Sequence, residues 1–329
     1  MDITGMQAAG APLTALVVCA ALGPVLIPAL HKLKFGQSIR DVGPASHMKK
    51  SGTPTMGGIM MLCGLFAAMV LWNRFTPLIV IAFVLTFGHA LIGFLDDYIK
   101  VVMKRNLGLT AKQKLALQIA LALAYIYYVE QHVGASGTAL WIPGTSVTVQ
   151  MGWLYYVLVL LLLVGTTNAV NLTDGLDGLV SSVSIPVLLT YAFVAWQSGE
   201  GDLCLFALAV LGSCAGFLVW NRHPAKVFMG DTGSLALGGA VAALALLTHT
   251  EVLLVIVGGV YVFEALSVIL QVAYFRHTGG KRIFRMTPIH HHFELGGWKE
   301  TKVVTVFTAV SVVFCLLGLG LWFMGKGGI

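Results

Sequence analysis

Two adjacent aspartates end an apolar stretch of the sequence in the segment GFLDDYIK, residues 93–100. Carboxylates placed side by side repel one another, and a divalent cation or a shared proton relieves that repulsion. Asp96 and Asp97 therefore indicate either a metal or proton-handling site or the solvated end of a helix. The pair alone does not distinguish these two interpretations.

A second polar stretch, GTTNAVNLTDGLDGL at residues 165–179, also follows directly on an apolar run. At helical spacing, Asn171, Asp174 and Asp177 fall along one narrow face, and the glycines beside them allow a ligand to approach the backbone closely. Either aspartate could instead cap the next helix. Capping does not explain four polar groups together, the fourth being Asn168, so we predict a binding face.

A third candidate acid, Asp231, lies in WNRHPAKVFMGDTGSLALGG at residues 220–239, together with Asn221 and Phe228. Asp231 precedes Gly, Thr and Ser, a pattern typical of a helix N-cap. The tetrapeptide DTGS also occurs in aspartic proteases, which need two such aspartates sharing a proton. The sequence has no second copy, which argues against a protease.

Three consecutive histidines lie in RMTPIHHHFELGGWKE at residues 285–300. Successive helical residues project about 100° apart, so His290, His291 and His292 cannot all bind one ion from a helix, although two could from a turn. Basic residues surround them, so we predict that these imidazoles donate to phosphate or sugar oxygens. The basic neighbours are Lys281, Arg282, Arg285 and Lys299.

The elements that position these residues are those of a membrane protein. Of the 329 residues, 57% are hydrophobic and 10% charged, and the mean hydropathy is +0.87, which excludes an ordinary soluble domain. The apolar runs approach the about 20 residues that a spanning helix needs, so we predict an all-α polytopic membrane protein. Its ten transmembrane helices are predicted near residues 11–30, 54–72, 77–95, 113–130, 152–170, 178–196, 203–220, 233–248, 252–275 and 303–324.

The basic residues predict the orientation of these helices. Alternate connections, starting with the one after the first helix, hold 18 of the 20 Lys and Arg residues. Positive charge favours the cytoplasmic side, so these connections are predicted to be cytoplasmic and both termini to lie outside. The same bias and contact with anionic lipid explain the net charge of +6, so we expect no nucleic-acid partner.

Two smaller features concern the outer side and the cysteines. Residues 138–151 alternate apolar and polar about a Pro-Gly-Thr turn, which predicts a small β-hairpin on the outer face.

The five cysteines fall inside predicted helices without a CxxC pair, so we interpret them as small apolar core residues.

Most of the cytoplasmic acids fall at the ends of predicted helices, so they gather at one face of the membrane. Mg²⁺ keeps several waters and is held by one or two carboxylates plus substrate phosphates, which fits this small number of acids. Carboxylates for Mg²⁺ beside basic groups for phosphate indicate phosphoryl transfer to a membrane-dissolved partner. A transporter is the alternative, but its sites should gather at the membrane midplane within inverted repeats.

These segments resemble, in order and orientation, those of the bacterial phospho-N-acetylmuramoyl-pentapeptide transferases, also called translocase I. The resemblance covers about residues 45–325, KKSGTPTMGG at 49–58 agrees with it, and HHHFE separates this family from other polyprenyl-phosphate sugar-1-phosphate transferases. It implies transfer of phospho-MurNAc-pentapeptide from its UDP carrier to undecaprenyl phosphate, giving lipid I and UMP for peptidoglycan synthesis. A sister transferase that uses UDP-GlcNAc is the nearest alternative.

The same resemblance implies a Mg²⁺ cofactor, a homodimer and a single integral membrane domain over residues 1–329. It places the chain in the bacterial inner membrane, with periplasmic termini and the active site on the cytoplasmic face. The ten-helix count from the apolar runs agrees with it.

Carried over residue by residue, the resemblance implies that Asp231 and Asp97 hold the metal and that Asp96, Asp97, Asp231 and His290 are catalytic. Phe228 would stack on uracil, and His291 and His292 would support the muramoyl-peptide end. Lys49 and Lys112 would lie near the diphosphate or the uridine, with Lys114 close enough in sequence to be an alternative to Lys112. The polar residues expected in or near the nucleoside pocket are Asn168, Asn171, Asp174, Asp177 and Asn221.

Two routes fit these residues. In the direct route the lipid phosphate attacks the β-phosphorus; in the two-step route Asp96 or Asp97 attacks first and forms an aspartyl-phosphate. The direct route is favoured because a phosphate monoester with a second pKa near about 6 is largely dianionic at neutral pH and gains little from a general base.

The predicted helix at residues 252–275 contains Gly258, Gly259, Glu264 and Ser267. The glycines predict a kink that opens a groove for the prenyl chain, or else close packing between helices. Glu264 is either a functional acid or a partnered buried one. His89 is interpreted as a packing histidine.

Overall fold

The computed structural model describes residues 3–32, 52–103, 108–133 and 137–326, and these residues form a helical protein with one small sheet. The predicted all-α class, with its small hairpin, is confirmed. The helices of the first half are α1 (Gly5–Lys32), α2 (Gly58–Trp72), α3 (Pro77–Val101), α4 (Ala111–His132) and α5 (Trp153–Thr173). Those of the second half are α6 (Leu179–Gln197), α7 (Gly201–Asn221), α8 (Gly230–Leu247), α9 (Glu251–Val257), α10 (Gly259–His277), α11 (Ile289–Leu295) and α12 (Glu300–Lys326).

Eight of these helices are long and apolar enough to cross a membrane: α1, α3, α5, α6, α7, α8, α10 and α12. Helix α2 is apolar but has only 15 residues. Helix α4 has 22 residues, but Lys112, Lys114 and Gln118 make it more polar. Nine of the ten apolar runs predicted from the sequence each coincide with one helix, and the run 252–275 is divided between α9 and α10. The count of ten membrane crossings stays a prediction.

Helix α8 is the centre of the bundle, since 17 of its 18 residues are buried. It packs along α3 and α5. Lipid provides little hydrophobic drive between helices, so small residues that permit close approach take its place. Gly93 of α3 shows this, because a Cβ there would lie 2.0 Å from the backbone oxygen of Asp231 at the start of α8.

Helix α4 begins at a reciprocal capping box. The Thr110 hydroxyl accepts from the backbone N–H of Gln113, and the Gln113 side chain accepts from the backbone N–H of Thr110. Such a box satisfies two amide groups that helix geometry leaves without partners. It fixes the helix start at Ala111, three residues before Lys114, which belongs to the site described below.

Strands β1 (Ala139–Trp141) and β2 (Thr148–Gln150) form the predicted hairpin, antiparallel with Leu140 opposite Val149. Gly144 in its turn donates to the backbone oxygen of Leu321 in α12, which ties the hairpin to the last helix. The hairpin precedes α5, whereas the predicted acids follow α5. It therefore lies at the opposite end of that helix from the acids.

The predicted interruption near Gly258 is present, because α9 ends at Val257 and α10 begins at Gly259. His89 is fully buried and its Nδ1 lies 2.6 Å from the Leu85 carbonyl oxygen, as expected of a packing histidine. All five cysteines are free thiols. Cys63 is exposed on the outside of α2, so its assignment to the core was wrong.

Candidate active site

Three carboxylates meet where the end of α3 touches the start of α8. Asp96 and Asp97 lie in the last turns of α3, and Asp231 lies in the first turn of α8. One oxygen from each lies within 4.8 Å of the others. Asp96 and Asp97 are almost fully buried, whereas the Asp231 side chain retains 17% of its exposure. We refer to these three residues as the acid triad.

Asp97 holds the start of α8 in place. Its Oδ1 accepts from the Asp231 backbone N–H at 3.2 Å, and its Oδ2 accepts from the Thr232 N–H at 2.9 Å and the Thr232 hydroxyl at 2.7 Å. The first amides of a helix have no partners within the helix, and a carboxylate is favourable there. Gly230 is required at this point, because its φ is +73° and a Cβ would lie 2.6 Å from the Asp97 carboxylate.

Two lysines lie against the acid triad. Lys114 Nζ is 2.9 Å from Asp231 Oδ2 and 3.6 Å from Asp96 Oδ1. Lys100 Nζ is 3.1 Å from the same Asp231 oxygen and forms a close ion pair with Asp96. Asp96 also accepts from the Leu109 N–H at 2.8 Å. Two cations therefore offset most of the charge of three carboxylates.

The acid triad suits a hard divalent cation. Its oxygens are the donor type that Mg²⁺ prefers, and only a few protein ligands are needed when water and phosphate complete the shell. Asp231 Oδ1 accepts from the Asn171 amide at 2.9 Å, and a carboxylate oxygen with one such partner keeps a lone pair for a ligand. Three carboxylates and two lysines carry a net negative charge, so a bound divalent cation would make the cluster net positive and favourable for a phosphate.

The connection after α5 reaches the acid triad through Asn171. Its amide donates to Asp231 and, at 2.8 Å, to the Ser234 hydroxyl. Asp174 follows just after the helix, where burial and the nearby carboxylates of Asp231, Asp97 and Asp177 raise its pKa well above the usual range. Nearby negative charges disfavour ionisation of Asp174, so a bound cation would reduce this repulsion.

The predicted single face of Asn171, Asp174 and Asp177 was wrong. Helix α5 ends at Thr173, and Gly178 with φ of +77° turns the chain into α6. Asp177 therefore points to another cluster. Its Oδ2 accepts from Ala225 N–H and lies 3.0 Å from His223 Nδ1, while Glu300 accepts from the Asp177 N–H at 2.7 Å.

Asn221 and Phe228 belong to the connection between α7 and α8. Asn221 is buried; it accepts from the Gly178 N–H and donates to the Val227 carbonyl oxygen, both at 2.9 Å. It thus holds two connections together. Phe228 is half-buried, and its backbone bonds to Pro54 and Gly57.

The three histidines lie in the short helix α11 and diverge, as their spacing predicts. His290 is fully buried, with Nδ1 3.1 Å from Glu264 and Nε2 against Gly175, where a Cβ would lie 2.2 Å away. His291 lies 2.9 Å from Glu294, and His292 accepts from the Arg285 N–H. Only His290 reaches the connection that carries Asp174.

Comparison with known proteins agrees with this geometry. The model of the family described as Glycosyl transferase family 4 matches residues 78–249. A phospho-N-acetylmuramoyl-pentapeptide-transferase of Bacillus subtilis (strain 168) is 52% identical over 311 residues, 93% of this chain and 95% of the relative. The transferase of the same name from Geobacillus sp. (strain WCH70) is 54% identical over 307 residues, 92% and 94% of the two chains.

The chain belongs to the phospho-N-acetylmuramoyl-pentapeptide-transferase family. The stretch that matches the broader Glycosyl transferase family 4 spans α3 to α8 and so includes the acid triad. Helix α11 with its histidines lies outside that stretch. The histidine segment resembles that of the transferase family in particular. It lies outside the residues matched by the model of Glycosyl transferase family 4.

Within the transferase family's expected site, the structure brings together Asp96, Asp97, Asp231 and Asn171. Of Lys112 and Lys114, Lys114 lies at the acid triad, whereas Lys112 is exposed. The amide of Asn168 bonds to Gln118 of α4 at 3.0 Å, one turn before Asn171. Lys49 lies outside the described residues.

Sequence reasoning missed Lys100, His223 and Glu300 and left Glu264 undecided. A signal for Lys100 was available, because it follows Asp96 by four residues and such pairs share a helix face. No comparable signal marked His223 or Glu300, which come from connections far apart in the sequence. Glu264 is a partnered buried acid, and its partner is His290.

Proposed function

We propose that this chain transfers phospho-MurNAc-pentapeptide from its UDP carrier to undecaprenyl phosphate, giving lipid I and UMP. The observation that carries the proposal is the acid triad with Lys100 and Lys114 at the ends of apolar helices. Membership of the transferase family supports the same substrates. The position of these residues at the ends of apolar helices supports a reaction at a membrane face, where a lipid acceptor and a soluble nucleotide can meet.

The proposed topology follows from charge and helix length. Ten crossings, formed by the eight long apolar helices with α2 and α4, put both termini in the periplasm and the acid triad on the cytoplasmic face of the bacterial inner membrane. The whole chain forms one membrane domain, and two copies form a homodimer.

The residues support Mg²⁺ as the cofactor, held by Asp231 and Asp97. When bound, Mg²⁺ would neutralise and polarise the diphosphate. Asp97 also keeps Asp231 in position through the first amides of α8. Lys100 and Lys114, now paired with Asp231, can donate to phosphate oxygens and so reduce repulsion between the two substrates.

The direct route receives support from the partners of the two candidate nucleophiles. Asp96 is held by Lys100 and the Leu109 N–H, and Asp97 accepts three hydrogen bonds from Asp231 and Thr232. Carboxylates held in this way are poor nucleophiles. In the direct route an acceptor phosphate oxygen forms a bond to the β-phosphorus, the bond to UMP breaks, and UMP leaves with the electron pair.

The nucleoside pocket is proposed between the connection after α5 and the one before α8. Phe228 would stack on uracil, with Asp174 and Asp177 on the polar side and Asn168 and Asn171 behind them. Asn221 would fix the distance between the two connections. Lys49 and Lys112 are proposed at the entrance, where they would meet phosphate or uridine.

His290 is proposed to position the sugar-linked phosphate. Glu264 faces its Nδ1, which leaves Nε2 directed at Gly175 and the Asp174 connection. An acid on one ring nitrogen fixes the orientation and proton position of a histidine. His291 and His292 are proposed to support the muramoyl-peptide end.

The prenyl chain is proposed to lie in an apolar cavity of about 320 Å³ between α5 and the interrupted pair α9 and α10. Leu158, Leu161, Ala265 and Leu266 line it, and Gly258 lies at its wall. The helix interruption at Gly258 opens this space, so the acceptor can enter sideways from the bilayer.

The test is UMP release by purified, detergent-solubilised protein given undecaprenyl phosphate and Mg²⁺, with UDP-MurNAc-pentapeptide and UDP-GlcNAc compared side by side. Release only with the muramoyl substrate, abolished by Asp231→Asn, is the expected result. Release with UDP-GlcNAc would assign the chain to a sister activity. Nucleotide binding without release of UMP would instead indicate a binding or transport protein.

A further inference from the structure

A pocket of about 380 Å³ lies at the last turns of α10, and no residue of the acid triad lines it. Three arginines line it, Arg276, Arg282 and Arg285, together with apolar side chains that include Phe275 and Leu295. Among the described residues that line the pocket, none is acidic. The pocket therefore combines concentrated positive charge with an apolar wall.

Hydrogen bonds within the protein hold the wall of the pocket together. Gln271 of α10 is nearly buried, and its side-chain oxygen accepts from the N–H groups of Ile283 and Phe284 while its NH₂ donates to the Phe284 carbonyl oxygen. Arg285 donates from its guanidinium to the Leu295 carbonyl oxygen at 2.7 Å. These bonds fold the connection back onto α10 and hold its arginines beside the helix.

The helix face that leads to the pocket is the one expected to meet lipid chains. Ile269, Val272 and Arg276 follow at spacings of three and four, so they share one face of α10. Ile269 is 61% exposed and Val272 43% exposed. An apolar exposed face that ends in a cation matches the change from acyl chains to headgroups at a membrane surface.

We propose that this pocket binds the phosphate of an anionic phospholipid from the surrounding leaflet. The arginines would pair with the headgroup phosphate, and an acyl chain would run along Val272 and Ile269. Arginine suits this role because its planar donor group binds phosphate in a bidentate manner. A free phosphate shares the headgroup chemistry but would leave the apolar face uncovered.

The experiment measures lipid retention by the full chain in phosphatidylcholine nanodiscs that contain a small fraction of fluorescent phosphatidylglycerol. Two neighbouring residues give a matched pair, since Arg282 lines the pocket and Lys281 is absent from its lining. Arg282→Gln is expected to weaken phosphatidylglycerol binding about fivefold to tenfold, and Lys281→Gln no more than about twofold. Equal effects of the two substitutions would overturn the proposal, because both remove one positive charge.

Competitors separate the possible sources of the phosphate. Unlabelled phosphatidylglycerol is expected to displace the probe, and inorganic phosphate at the same concentration is not. Displacement by inorganic phosphate, by an acidic peptide, or preferentially by undecaprenyl phosphate would reject a phospholipid site. Arg276→Gln, which lines the pocket from α10 rather than from the connection, provides a second variant if Arg282→Gln fails to fold.

Discussion

Two clusters at the same end of the bundle each bring three possible metal-ligand atoms within 4.8 Å of one another. One is the acid triad. The other consists of Asp177, His223 and Glu300, which we refer to as the connection cluster. By ligand number and spacing alone, the two would be equivalent.

Their hydrogen-bond partners distinguish them. In the acid triad, Asp96 and Asp97 accept from backbone N–H groups, but the Asp231 carboxylate is paired with two lysine side chains that can move to a substrate. In the connection cluster the carboxylates accept from backbone N–H groups of Ala225 and Asp177, which join three separate connections. Backbone partners cannot leave without unfolding the connection. The first arrangement suits a reacting site, and the second suits a structural link that shapes the pocket beside it.

The largest expected effect separates the clusters directly. Asp231→Asn should lower turnover by at least about 10²–10³-fold, because metal and both lysines lose their shared charged partner. Asp177→Asn retains an oxygen acceptor, so it should mainly raise KM, by about tenfold or less. Initial rates of UMP release across substrate and Mg²⁺ concentrations measure both. Equal losses in turnover would remove the distinction between the clusters.

The second effect tests which lysine serves the acid triad. Lys114→Gln should lower turnover about 10- to 100-fold, because a charged donor near developing phosphate charge is lost. Lys112 lies two residues away on an exposed part of α4, so Lys112→Gln should lower turnover much less. The same assay, with helix content compared by circular dichroism, measures the pair. A larger loss for Lys112→Gln would restore the original assignment from the sequence.

Much of the acid triad was predictable from the sequence, because three acids at the ends of long apolar runs have few other places to lie. Their lysine partners were harder to predict. Lys114 meets Asp231 because α4 and α8 both pack against α3 and α5. No local sequence pattern predicts this packing between helices. The Asp96 to Lys100 spacing was local information and could have been used.

The orientation of Asp177 was mispredicted for a physical reason. A face shared with Asn171 requires the helix to continue through Asp174 and Gly175, but glycine is unfavourable inside a helix and common after its end. Two glycines in four residues favoured a helix end. Asp177, which lies between these glycines, was then free to turn toward Ala225 and His223.

A third prediction tests the structural role of the connection cluster. Glu300→Ala removes the acceptor of the Asp177 N–H and should lower the free energy of unfolding by about 1–3 kcal/mol. Turnover at saturating substrate should change little, since Glu300 contacts none of the acid triad in the described structure. Thermal unfolding in detergent, with the exposed neighbour Lys299→Ala as the control, measures the loss. A large fall in turnover with unchanged stability would assign the cluster to the reaction.

The smallest effect concerns Asp174, which lies between the clusters. Its pKa is raised by burial and by the surrounding carboxylates, so its ionisation costs the folded state more than the unfolded state, where the pKa is about 3.9. Below that pH, Asp174 does not lower the free energy of unfolding of the wild type. As the pH rises through the higher folded pKa, ionisation of Asp174 lowers that free energy. Asp174→Asn carries no charge, so it should unfold at a higher temperature than wild type at pH 8.

The advantage of Asp174→Asn should shrink toward pH 4, where the wild-type carboxyl is protonated in the folded protein. It should also shrink when Mg²⁺ is added at pH 8, because a cation beside Asp231 offsets the repulsion that raises the Asp174 pKa. Asp177→Asn provides the comparison, since the carboxylate of Asp177 is held by His223 and a backbone N–H. If Mg²⁺ altered both variants equally, the cation would not distinguish the acid triad from the connection cluster.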